Sequence, residues 1–144
     1  MPQLTPSEEK AVVAAIAAAE QRTSGEIRVH LEKKCAPEQA HAEAVRWFEK
    51  LRMHQTQERN GILFLLAPES HAFAVVGDAG IHACVGDSFW EDVREAALAH
   101  FREGRLGDGL VAGIHLCGEQ LHEHFPFDGK TDQNELSDEI SRNA

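Results

Sequence analysis

The sequence predicts an α/β fold: one domain built as a three-layer α/β/α sandwich around a small, mixed, Rossmann-like sheet. Three observations lead there. Glu26–Leu31 alternates polar and apolar residues, with Ile27, Val29 and Leu31 on one side, the pattern of a half-buried strand. Ile62–Ala67 is apolar without interruption, as expected of a central strand covered on both faces. Stretches with apolar residues at helical spacing precede, separate and follow these strands.

The elements follow in order. Thr5-Pro6-Ser7-Glu8 starts a helix: Thr5 can cap it, Pro6 suits the first helical position and Glu8 completes a capping box. Val12, Ile16 and Ala19 continue the pattern until Gly25 ends it, and the first strand begins. Pro37 opens a second helix with Ala40, Ala44, Trp47, Phe48 and Leu51 on its buried face. After the apolar strand, Pro68-Glu69-Ser70-His71 turns the chain and Ala72–Val76 returns as a third strand. A helix is expected over Ala79–Val85. Another is capped by Asp87 or Ser88 and turns Trp90, Val93, Ala97 and Phe101 inward. Gly104 and Gly107 punctuate before a last helix over Gly109–His124. A strand–helix–strand crossover makes the first two strands parallel; the hairpin makes the third antiparallel to the second. Glu26, Asn60 and Asp78 then fall at one end of the sheet, where a polar pocket is expected.

The domain is expected to span residues 1–126. Residues 127–144 carry Asp128, Asp132, Glu135, Asp138 and Glu139 with little to bury, and read as a flexible acidic tail. Leu136 and Ile140 could make that tail a docking peptide. With 144 residues, 42% of them hydrophobic, the chain can bury a core without disulfides or metal. Cys35, Cys84 and Cys117 form no CxxC pair, and an odd count fits a reducing compartment. A net charge of -10 argues against nucleic acid and anionic membranes as partners. No apolar run approaches the roughly 18 residues that cross a bilayer. Met1-Pro2-Gln3-Leu4-Thr5 lacks the basic start of a signal peptide. The expected location is the cytoplasm.

Several short stretches carry a family resemblance. They are Thr23-Ser24-Gly25-Glu26-Ile27, the segment Met53–Gly61, Gly77-Asp78-Ala79-Gly80-Ile81-His82, Phe89-Trp90, and Phe101-Arg102-Glu103-Gly104 through Gly109-Leu110. In their order and spacing, from about Thr5 to Pro126, the chain resembles the TPM domain family, which includes a thylakoid lumen protein. The tail around Asn134–Ile140 is similar to those of soluble bacterial members. The resemblance implies an α/β/α sandwich with a mixed sheet. It also implies three different roles: acid phosphatase in plant thylakoid members, receptor auxiliary protein in an animal member, and divalent-cation binder in some bacterial domains. Many members have a signal peptide or membrane anchor, and this chain shows neither, so the lumenal and receptor roles do not carry over directly.

The residues themselves allow the following chemistry. Glu26, Asp78 and Asp108 could hold calcium or magnesium, since hard cations favour carboxylate and carbonyl oxygens; equally, Asp78 and Asp108 could cap helices. Arg59 could grip a carboxylate or phosphate in a bidentate fork, with Asn60 beside it as an amide donor. A phosphatase without a Cys-x5-Arg loop or an Asp-x-Asp pair is left with metal-activated water, and Asp78 or His82 would be its base. Glu38…His41 and Glu119…His122 lack the four-helix frame of a di-iron site. His115, His122 and His124 near Cys117 are irregularly spaced. Gly129-Lys130-Thr131 lacks the strand and upstream glycine of a phosphate loop. The first reading is therefore a non-enzymatic module that binds a partner protein, tuned by a divalent cation; the alternative is a metal-dependent phosphatase.

Overall fold

Helices pack on both faces of a four-stranded sheet in the structure, a computed structural model that describes residues 3–127 and 140–142. The helices are α1 (Pro6–Glu20), α2 (Ala40–Lys50), α3 (Ala79–Val85), α4 (Asp87–Phe101) and α5 (Leu106–His124). The strands are β1 (Glu26–Leu31), β2 (Gly61–Ala67), β3 (Ala72–Gly77) and β4 (Ser141–Arg142), in the spatial order β3-β2-β1-β4. β1 runs parallel to β2 and β4, and β3 runs antiparallel to β2. This is the α/β domain with a mixed sheet that the sequence predicts.

The capping box forms: the Glu8 N–H donates to Thr5 Oγ1 (3.1 Å) and the Thr5 N–H to Glu8 Oε1 (2.9 Å). The second Glu8 oxygen accepts from the Gly107 N–H (2.8 Å), which ties the start of α1 to the start of α5. β2 is buried along its whole length. Alternation sends Ile62, Phe64 and Leu66 into the large core beneath α1, α4 and α5, and Leu63, Leu65 and Ala67 toward α2. Each fully buried Ile, Leu or Phe side chain among these contributes about 1.5–3 kcal/mol, so β2 anchors both layers.

The structure departs from expectation at four places. β1 is covered on both faces: its polar side is buried as well at Glu26 and His30. α4 is capped by neither Asp87 nor Ser88; its cap residue is Gly86, with no side-chain hydrogen bond. α5 begins at Leu106, not Gly109. A Cβ at position 109 would lie 2.4 Å from the Phe101 ring and 2.7 Å from the Ala97 carbonyl oxygen. Gly109 thus lets α4 and α5 approach closely, a gain that offsets its helix penalty of about 1 kcal/mol. Lastly, Ile140–Arg142 lies along β1 instead of hanging free. Ile140 packs on the large core, Ser141 opens β4, and Arg142 ion-pairs with Glu9. Leu136 and most of the expected tail lie outside the described residues.

Candidate functional site

Glu26 pairs with Gly61, and the Asp78 N–H donates to the Gly61 carbonyl (2.9 Å), so the three residues cross the sheet side by side. Asp78 Oδ2 accepts from Arg59 Nε (2.7 Å), and Oδ1 accepts from both Arg59 Nη2 (2.8 Å) and the Ala79 N–H (2.7 Å). One carboxylate therefore caps α3 and clasps a guanidinium in bidentate fashion, the strongest ordinary geometry for such a pair. Arg59 is held from its backbone too. Its φ of 53° is left-handed, at a cost of about 1 kcal/mol for a residue with a side chain. Its carbonyl accepts from the N–H groups of Gly80 (2.8 Å) and Ile81 (3.3 Å). A Cβ on residue 80 would lie 2.2 Å from the Glu58 carbonyl oxygen and 2.6 Å from that of Arg59, so only glycine admits this approach.

Asn60 is buried and structural by its contacts. Its side-chain amide donates to Ser24 Oγ (3.3 Å), its N–H to Thr56 Oγ1 (3.3 Å), and its carbonyl accepts from the Glu26 N–H (3.4 Å). Ser24 Oγ in turn donates to Glu58 (3.1 Å). Thr23 accepts from the Gly25 N–H (3.0 Å), and its hydroxyl lies against the carbonyls of Leu121 and Phe125, joining β1 to the end of α5.

Of the residues singled out from the sequence, Glu26, Arg59, Asn60 and Asp78 share this end of the sheet. Asp108 does not join them. It is exposed in the first turn of α5, 3.6 Å from Arg105. The residue of α5 that touches Gly25 is Leu121, near the opposite end of that helix. At 1.5 Å per residue this puts Asp108 about 20 Å away. Asp78 already gives its oxygens to Arg59 and Ala79. Met53 and Phe48 close over Gly61, which separates Glu26 from Asp78. The three carboxylates therefore do not fit one cation. Among the described residues no group of three or more His, Cys, Asp or Glu is placed to hold a metal ion. His82 is engaged elsewhere: its Nδ1 accepts from the Trp90 indole N–H (2.9 Å), and its Nε2 lies 3.4 Å from Asp87. It lines a groove beside β3 that Asp78 does not line.

A second polar cluster was not foreseen from the sequence. His30, with no exposed surface, meets Ser141 Oγ through Nδ1 (2.8 Å) and stacks on Trp47 with ring centroids 3.8 Å apart. Trp47 donates its indole N–H to Glu32 (2.9 Å). Burial, with the Arg28 charge adding to it, pushes the His30 pKa down from 6.5 to about 4; burial pushes that of Glu32 up. His30 is thus a neutral packing group near pH 7, not a base poised to act. The available signal was the polar series Arg28, His30, Glu32 facing a helix that carries Trp47.

Residues 3–120 match the TPM domain, and the chain belongs to the TPM domain family. It is similar to the BA42 protein of the psychrophilic bacterium Bizionia argentinensis, known from NMR. The two are 43% identical with a TM-score of 0.86, over 97% of this chain and 95% of that one. The N-terminal domain of cg2496 from Corynebacterium glutamicum shares the fold, with a TM-score of 0.60 at 15% identity, over 99% of this chain and 81% of that one. Comparison with curated proteins finds no match. No helix among the described residues is long and apolar enough to cross a membrane.

Proposed function

We propose that this TPM domain is a non-enzymatic module that binds a partner protein. The observation that supports this reading is the Arg59–Asp78 clasp. The acid that a metal-water phosphatase would use as its base instead holds a loop and caps a helix. A general base must reach the proton it removes; Asp78 faces a guanidinium, and His82 accepts from an indole.

The test is hydrolysis of p-nitrophenyl phosphate in magnesium or calcium, by the protein and by Asp78→Ala. Neither is expected to exceed the uncatalysed rate. Turnover that disappears both in Asp78→Ala and on adding chelator would establish the metal-dependent phosphatase instead.

A further inference from the structure

The two edges of the sheet are finished differently. On the β1 side the outward backbone groups are largely occupied. The Ile27 N–H donates to Glu20 (2.8 Å), Ser141 Oγ lies 3.4 Å from the Val29 carbonyl, and β4 pairs at His30 and Leu31. Among the described residues the β3 side is open. Because the Asp78 N–H bonds to Gly61, the antiparallel register makes Ala72, Ala74 and Val76 the hydrogen-bonded partners of β2. The N–H and C=O groups of Phe73, Val75 and Gly77 then point outward, and among the described residues nothing pairs with them. Edge strands are ordinarily blunted by proline, charge or a bulge. Ala72–Gly77 has none of these: its sequence is AFAVVG and its pairing with β2 is continuous.

This edge floors a groove of about 820 Å³ between the two helical layers. Glu38 and His41 stand on one wall; His82, Asp87, Glu91 and Arg94 stand on the other, so the carboxylates outnumber the guanidinium by three to one, with His82 beside Asp87. The Trp90 ring packs against Gly77 and gives the groove an apolar plate at one end. We propose that the β3 edge takes up an extended basic segment of a partner protein as an added strand. This rests on the module reading above and supplies its surface and its class of partner. Main-chain bonds to Phe73, Val75 and Gly77 give the affinity, and side chains alternating toward the two walls give the selectivity. Lysine or arginine at alternate positions, all on one side of the added strand, meets Asp87 and Glu91 on their wall. A second copy of this chain would instead set acidic walls against acidic walls, an arrangement that opposes association.

The capped hexapeptide Lys-Val-Lys-Val-Lys-Val, titrated into the full chain, tests this by amide NMR. Saturable shifts are expected at Phe73, Val75 and Gly77, with hydrogen exchange there slowed about tenfold or more on binding. The Glu-Val-Glu-Val-Glu-Val peptide is expected to leave these amides unmoved. The double variant Glu38→Lys/Glu91→Lys, altered only at exposed positions, should reverse the preference. No β3 shifts at millimolar Lys-Val peptide would overturn the edge proposal and leave the module reading standing. Equal binding of both peptides would overturn its charge selectivity. β3 shifts that arise on concentrating the protein alone would assign the edge to a second copy, again against the proposal. Chelator-sensitive phosphate hydrolysis would overturn the module reading itself, independently of the edge.

Discussion

Arg59 holds a left-handed backbone because three contacts determine it: its side chain on Asp78 and its carbonyl on the N–H groups of Gly80 and Ile81. The weakest point of that arrangement is Gly80. Gly80→Ala forces a methyl group into two carbonyl oxygens, and since neither is a flexible side chain the loop must move. A loss of about 2–3 kcal/mol is expected, read as a lower urea midpoint at unchanged m-value. His30 sets a pH dependence whose sign is determined by its depressed pKa. The unfolded chain takes up the proton first, so this contribution is intact above pH 6.5 and fades as pH falls toward 4. The difference amounts to about 3 kcal/mol at most. Denaturation of the protein and of His30→Asn at pH 7 and pH 4.5 checks it: the variant should lose less stability across that interval. At this scale Arg59, Asn60 and Asp78 were legible as a group, because polar residues beside glycine at strand ends leave a local pattern. Their pairing was not. Nothing in the sequence says that Asp78 grips Arg59 rather than a ligand, since both uses call for the same residue types.

The secondary elements were legible where period and caps agree. β2 was recognisable from its unbroken apolar run, α1 from its capping box, and α3 from Asp78 at its start. They were misplaced where tertiary contacts override local preference. Gly107 has the local character of a break, yet lies inside α5, where its N–H donates to Glu8 from the start of α1. β4 has no period to find: a two-residue ladder is specified by what it meets, namely Ile140 on the core and Ser141 on His30. Ser141→Ala should therefore cost about 1–2 kcal/mol, the price of leaving a buried imidazole nitrogen without its partner. A urea titration reads that loss, and it should shrink when His30→Asn is already present, leaving only the Ser141 contact with the Val29 carbonyl.

For the molecule as a whole, the charge of -10 and the open β3 edge bear on the same kind of partner. Binding of the Lys-Val peptide should weaken severalfold between 0.05 and 0.5 M salt, because the Debye length shrinks across about that range; calorimetry at the two salt concentrations would show it. The layered architecture was readable from sequence, since alternation, an apolar strand and flanking helices leave few arrangements. Which edge stays open was not, because it depends on a C-terminal strand without a local signature. On the reading proposed above, the polar end of the sheet serves the fold rather than a reaction. Groups held in place for a ligand or a reaction commonly lower stability, whereas structural ones raise it. The measurement that separates these is the unfolding free energy of Asp78→Ala in the absence of added metal. Loss of the helix cap and of the charge-assisted pair predicts a drop of about 2 kcal/mol. A variant as stable as the parent, or more stable, would contradict this and return Asp78 to the service of a ligand.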